Sequence, residues 1–291
     1  MKRRNILTVV FSLLCAATIM AQNVDNEKTG ILLVHYGTSN DKSRAQTIDK
    51  LNSRVAETFP DCAVVEAYSA PSVIKTLAKR GIKKLYISQA LDSLKALGCN
   101  KLVVQSTMLL DGVMTEMLRT EVGKVKNDFR AVSVVRPLLY SVDDCRTMIE
   151  MLTKSLLADK SVATKKSQVV LVGHGSDSPA NAMYSQIDYL LKAEGKSSWH
   201  VGTIEGFPKI ENVEQQLKNS KNKNVILVPL LYIAGNHQKE DIDGVWKTQL
   251  QTKGYHVDVF GKGIGEMTEI QNMIIGKIDA QIKTVNSEKA K

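Results

Sequence analysis

The feature that most constrains this chain is an alternation of short, nearly unbroken apolar runs with stretches of helical periodicity. The runs fall at 31–35, 63–67, 101–105, 132–136, 168–173, 200–204, 224–229 and 256–260. Helix-like stretches lie between them at 43–58, 71–79, 88–97, 141–157, 181–194, 212–219, 239–252 and 265–284. Strands without polar alternation, such as Val169-Val170-Leu171-Val172, suit a sheet covered on both faces. The alternation therefore predicts α/β architecture with parallel strands and crossover helices.

The two halves of the chain read alike. Ile31-Leu32-Leu33-Val34-His35-Tyr36-Gly37-Thr38-Ser39 lines up with Val169-Val170-Leu171-Val172-Gly173-His174-Gly175-Ser176-Asp177. Lys101-Leu102-Val103-Val104-Gln105 matches Val225-Ile226-Leu227-Val228-Pro229, and each is followed by an apolar segment and a glycine, Gly112 and Gly235. This predicts two similar domains from a duplication: 22–140, a linking helical region over 141–167, and 168–291, with the last helix free to pack on the first domain. Ligands of parallel sheets sit outside the carboxyl ends of the strands, so the cleft between two facing sheets is where chemistry is expected.

Three residues of the second half each follow a strand: His174, Glu205 and His237. They are spaced by 31 and 32 residues, about one βα unit each, so parallel strands can bring them to one sheet edge. Two imidazoles and a carboxylate suit a divalent first-row ion and leave coordination positions open for exchange; cobalt, nickel, iron and zinc all fit. The neighbouring Gly173, Gly175, Gly206 and Gly235 would let backbone approach a flat ligand. Asn181 and Tyr184, near the start of the next helix, are candidates to line the ligand or orient the His174 ring. His35 and Tyr36 end the first strand on the expected cleft side, while His200 and His256 start strands at the opposite end, where structural or surface roles are expected.

Composition closes off several alternatives. Lys2, Arg3 and Arg4 precede an uncharged run over 6–20 and then Ala21, the pattern of an export signal cleaved near Ala21. The run is too short to cross a bilayer comfortably, and an uncleaved anchor is the competing reading. Leu14 before Cys15 argues against lipidation. The expectation is an exported, periplasmic protein without stable membrane insertion. Removing those three basic residues lowers the formal charge from +9 to +6, a modest excess spread along the chain. With only 5% aromatic residues, a nucleic-acid platform is disfavoured. No G-x-x-x-x-G-K-[ST] is present, so no nucleotide site is expected. Cys62, Cys99 and Cys145 lack any CxxC; Cys62 and Cys99 read as small buried hydrophobes, although one bridge could form after export. A homo-oligomer is left open.

The segments 31–39, 98–105, 173–184, 201–208 and 228–237 resemble the anaerobic sirohydrochlorin cobaltochelatases of the class II chelatase superfamily over nearly the whole mature chain. That resemblance implies two Rossmann-like domains around a tetrapyrrole cleft, with insertion of Co²⁺ into sirohydrochlorin as the activity. His174, Glu205 and His237 fall where the family is expected to hold the ion. For that activity His174 and His237 are expected to be the catalytic pair, with His174 as proton acceptor, since a neutral imidazole can take a pyrrole proton. The chain departs from the pattern in its first half. Where such chelatases usually carry a His and acidic residues, it has Met108, Val113 and Met114, and His35-Tyr36 stand where a small residue and Phe are usual. The thioethers read as gap-filling core, or else as haem ligands, since Met and His both serve haem iron. An exported haem- or tetrapyrrole-binding protein, or one removing iron from haem, is therefore the alternative expectation.

Overall fold

The computed structural model describes residues 27–159, 161 and 167–287. The stretch read as an export signal, Cys15 included, lies outside the described residues. The first half runs β1 (Thr29–His35), α1 (Asp41–Arg44), α2 (Lys50–Thr58), β2 (Ala63–Tyr68), α3 (Pro71–Ala78), α4 (Ile87–Ala96), β3 (Lys101–Ser106), α5 (Val113–Lys124) and β4 (Ala131–Val134). After α6 (Val142–Ala158), the second half runs β5 (Gln168–Gly173), α7 (Ala182–Ala193), β6 (Trp199–Thr203), α8 (Ile210–Lys218), β7 (Asn224–Leu230), α9 (Gly235–His237), α10 (Lys247–Thr252), β8 (His256–Val259) and α11 (Thr268–Ser287). Wide π-helical turns, Ala45–Asp49 and Gln238–Trp246, join α1 to α2 and α9 to α10.

Each half forms a four-stranded sheet, in the orders β2-β1-β3-β4 and β6-β5-β7-β8. Every strand pairing is parallel. The identical orders are what a duplicated unit would give. Strands β1, β3 and β5 are buried along their whole length, which is why their sequences show no polar alternation. The twelve residues of α5 were not expected from the sequence. Its buried positions are only Thr115, Leu118 and Val122, too sparse a stripe to announce a helix.

One apolar cluster joins the halves. Ile31, Leu33 and Val103 of the first sheet belong to it together with Val169, Leu171 and Val228 of the second. Helix α6 contributes Cys145, Met148, Ile149, Leu152 and Leu156 to that cluster. It lies against α7, where Cys145 Sγ is 3.3 Å from Met183 Sδ and Arg146 pairs with Glu194. Helix α11 leaves the second half and packs on β3 and β4 of the first. There Ser133 Oγ donates to Gln281 Oε1, and Arg54 reaches Gln271 and Asn272. At the far end Lys101, almost fully buried, donates to both Glu27 and Asn286. This shared layer fixes how the carboxyl ends of the two sheets face each other.

Candidate functional site

The loops after β5, β6 and β7 bring His174, Glu205 and His237 together. His174 Nε2 is 3.8 Å from Glu205 Oε2, and the His174 and His237 rings meet edge to face with centroids 4.8 Å apart. The chain achieves this through backbone ties. Gly173 carbonyl accepts from Ile204 N–H at 3.0 Å, and His174 carbonyl from Glu205 N–H at 2.8 Å, extending the sheet pairing past the strand ends. Both imidazoles have Nδ1 committed: that of His174 donates to Gly175 carbonyl at 3.1 Å, and that of His237 to Asp241 Oδ2 at 2.8 Å. Each ring therefore keeps Nε2 free, the nitrogen a metal ion or a proton would use.

All three side chains are partly open to solvent, Glu205 most of all at 63% exposed. Among the described residues, no group of three or more His, Cys, Asp and Glu is closed tightly enough to form a ready-made cage. Two donors on one tetrahedral ion at about 2.1 Å would stand roughly 3.4 Å apart. The 3.8 Å between His174 and Glu205 exceeds that only slightly.

Three of the four glycines, Gly173, Gly175 and Gly206, bring backbone tightly against protein, whereas Gly235 has nothing closer than 3.8 Å to an added Cβ. Gly175 has φ +90°, and a Cβ there would lie 2.2 Å from Gly206 N. Gly206 is pressed against Asn181, whose side chain accepts from Ser176 N–H at 3.0 Å and donates to Phe207 carbonyl at 2.8 Å. Asn181 thus latches the His174 loop to the Glu205 loop. Tyr184 is buried beneath Gly173, and its hydroxyl accepts from Gly175 N–H at 3.4 Å; burial raises its pKa. Gly206 and Tyr184, both buried, support the loops that carry His174 and Glu205.

The family model for cobalt chelatase (CbiK) matches residues 29–283. The chain belongs to the cobalt chelatase family. It is 26% identical over 268 residues to the sirohydrochlorin cobaltochelatase of Salmonella typhimurium, covering 90% of this chain and 100% of that one. It is likewise 26% identical over 272 residues to the sirohydrochlorin cobaltochelatase CbiKC of Nitratidesulfovibrio vulgaris, covering 91% and 94%. Among solved structures, SirB from Bacillus subtilis with Fe³⁺ shares the fold with a TM-score of 0.62 and 14% identity, over 91% of this chain and 100% of that one. CbiX, described as the terminal enzyme of sirohaem biosynthesis in denitrifying bacteria, shares it with a TM-score of 0.54 and 17% identity, over 87% and 99%.

In this chelatase fold the first half supplies the facing wall. The loops after β3 and β5 meet, since a Cβ on Gly112 would be 3.3 Å from Ser178 Oγ. The loops after β1 and β7 meet where a Cβ on Gly235 would be 4.0 Å from Thr38 Oγ1. Tyr36 is half exposed beside this contact. His35 is not available to a ligand: it is fully buried, with Nε2–H donating to Asn52 Oδ1 at 3.0 Å and Nδ1 accepting from Thr107 hydroxyl at 3.1 Å. Asn52 spends its amide on Glu66, which fixes that tautomer, and burial lowers the His35 pKa. Met108 and Met114 are half-buried and belong to none of the described apolar clusters, so they are not core gap-fillers. His200 is buried between Gln168 and Gln216, as a structural residue should be, and His256 is exposed. Cys62, Cys99 and Cys145 are free thiols, with Cys99 and Cys145 buried and Cys62 half-buried. Sequence reasoning missed Asp241, although a carboxylate four residues after a strand-end histidine on a helical stretch was a readable signal.

Proposed function

We propose that this chelatase inserts Co²⁺ into sirohydrochlorin without nucleotide, holding the ion on His174, Glu205 and His237 as it enters the macrocycle. The observation that carries the reading is the convergence of these three side chains, from three successive βα units, on one open edge of the second sheet. The cobaltochelatase relatives support the substrate and the metal.

Insertion must remove two pyrrole protons. A neutral imidazole is a competent acceptor near neutral pH. His174 serves both steps in turn: its Nε2 lone pair holds the ion, and is freed for a proton when the ion passes to the ring nitrogens. The ring is 43% exposed, so it can release each proton to water before accepting the next. His237 and Glu205 hold the ion meanwhile, and the Glu205 carboxylate offsets charge that two neutral imidazoles cannot. The test combines purified protein, metal-free sirohydrochlorin and Co²⁺, followed by visible absorbance. Insertion faster than the protein-free rate is expected, with His174→Ala reduced to background; no acceleration by the wild type rejects the reading.

We further infer that the protein works after export. The basic residues Lys2, Arg3 and Arg4 and the uncharged run behind them support this. The periplasmic form should begin near Gln22 by mass spectrometry. Recovery of the intact chain from the cytoplasm alone would overturn it.

A further inference from the structure

The two site imidazoles are held by unlike partners. His174 Nδ1–H meets a neutral acceptor, the carbonyl of its neighbour Gly175. His237 Nδ1–H meets a carboxylate, Asp241 Oδ2, at 2.8 Å. Asp241 stands four residues along, where the short α9 runs into the wide turn Gln238–Trp246, so both side chains share one helical face. A carboxylate behind a histidine fixes the ring and its tautomer, and makes the opposite nitrogen a stronger donor to a metal ion.

We propose that Asp241 is a positioning residue for metal binding: through its hydrogen bond to His237 Nδ1–H, it holds the His237 ring in place and makes its Nε2 a stronger ligand for the ion. The proposal rests on the reading of His237 as a metal ligand. Two further observations fit it. Negative charge near a divalent ion offsets its burial, and the site offers two carboxylates: Glu205 within reach of His174, and Asp241 one hydrogen bond behind His237. The rings also stand nearly perpendicular, at 87°, so each can present its free nitrogen to one point only if its orientation is held. Rotation of the His237 ring about its own bond would lose that point, and Asp241 opposes the rotation. His174 lacks a charged anchor and is the ligand better able to let go of the ion and take a proton.

The test is titration of Co²⁺ into the metal-free full chain, read by calorimetry and by the visible d–d absorption of bound Co²⁺. Wild type, Asp241→Ala, Asp241→Asn and His237→Ala are compared, with the melting curve of each metal-free protein. Asp241→Ala should weaken Co²⁺ binding about 10- to 100-fold. Asp241→Asn should lose less, because its amide oxygen still accepts from Nδ1–H. Metal-free melting should not move, since the pair is partly exposed and on the surface of the cleft. The proposal is overturned if Asp241→Ala binds Co²⁺ within twofold of wild type while His237→Ala does not bind. Equal losses in both Asp241 variants, matched by lower melting, would also overturn it, by showing a role in the fold alone. If His237→Ala binds Co²⁺ as the wild type does, the ligand reading itself fails and takes the proposal with it.

Discussion

Adding one methyl group to Gly173 tests whether the loop geometry derives from packing beneath the site. Gly173 ends β5 immediately before His174. A Cβ there would lie 2.1 Å from Tyr184 Cε1, 2.6 Å from Cζ and 2.9 Å from the hydroxyl. The obstacle is a rigid ring, only 2% exposed and enclosed by the shared core, so it cannot swing aside as a flexible side-chain end would. Overpacking of this kind costs about 1–3 kcal/mol. At roughly 2–4 °C per kcal/mol for large domains, Gly173→Ala should melt several degrees below wild type. The damage should reach the metal as well. Gly173 and His174 carbonyls hold Ile204 and Glu205 in place, so displacing this backbone separates His174 from Glu205. Co²⁺ affinity, measured calorimetrically at a temperature where both proteins are folded, should fall with stability. The decisive measurement is a double-mutant cycle with Tyr184→Leu, which removes the obstructing ring. Tyr184→Leu should cost less in the Gly173→Ala background than in wild type, with a coupling of about 1 kcal/mol or more. Strict additivity, or a Gly173→Ala protein that melts like wild type, would refute the packing argument.

Glu205→Gln keeps the side-chain shape and removes its charge, and should weaken Co²⁺ binding about tenfold, or roughly 1.4 kcal/mol, without lowering metal-free melting; unchanged calorimetric affinity would remove Glu205 from the site. His200, buried between two glutamines, has its pKa pushed by desolvation from 6.5 down to about 4. Between those pH values the unfolded chain takes up a proton that the folded chain refuses. Stability should therefore be complete above pH 6.5 and decline as pH falls toward 4, by on the order of 3 kcal/mol from this residue. Urea midpoints at pH 7 and pH 4.5 should differ more for wild type than for His200→Gln, and equal differences would sink the assignment. Lys101→Ala removes an ammonium that is 1% exposed and joins Glu27 to Asn286. Because Glu27 keeps Arg130, the expected loss is about 1–2 kcal/mol. Lys101→Met, which keeps the apolar stem, should cost less; equal urea midpoints for both variants would refute this.

Much of this architecture was legible because burial leaves a mark on residue type. All eight apolar runs became strands; the central β1, β3, β5 and β7, covered on both faces, are the ones whose sequences are nearly apolar throughout. The convergence of His174, Glu205 and His237 was legible for a related reason: parallel strands deliver whatever follows them to one edge. Orientation was not legible. His35 also ends a strand, yet its ring turns inward to Asn52 and Thr107, because which face a strand-end side chain takes depends on partners distant in sequence. The glycines were visible, but not what presses on them: Tyr184 against Gly173 and Asn181 against Gly206 are tertiary contacts. Helix α5 escaped because a helix with three buried positions carries almost no periodic signal.

Lys101 hydrogen-bonds Glu27 and Asn286 with a single ammonium, so the two ends of the described chain meet at the edge of the first sheet opposite the cleft. The fold is thereby close to a closed ring. A short peptide joining Ser287 to Glu27, with the chain opened between Asp159 and Ser167, would give a circular permutant in which the second half is synthesised first. Its helices α6 and α11 would still cross to the same places, because only the cyclic order of the elements matters to this packing. Neither half could be cut free in the same way. Without α11 the first sheet would show β3 and β4 bare to water, and without α6 the second half would lose the cover of α7. The two sheets share one core, so their packing depends on the cyclic order of the elements more than on where the chain starts.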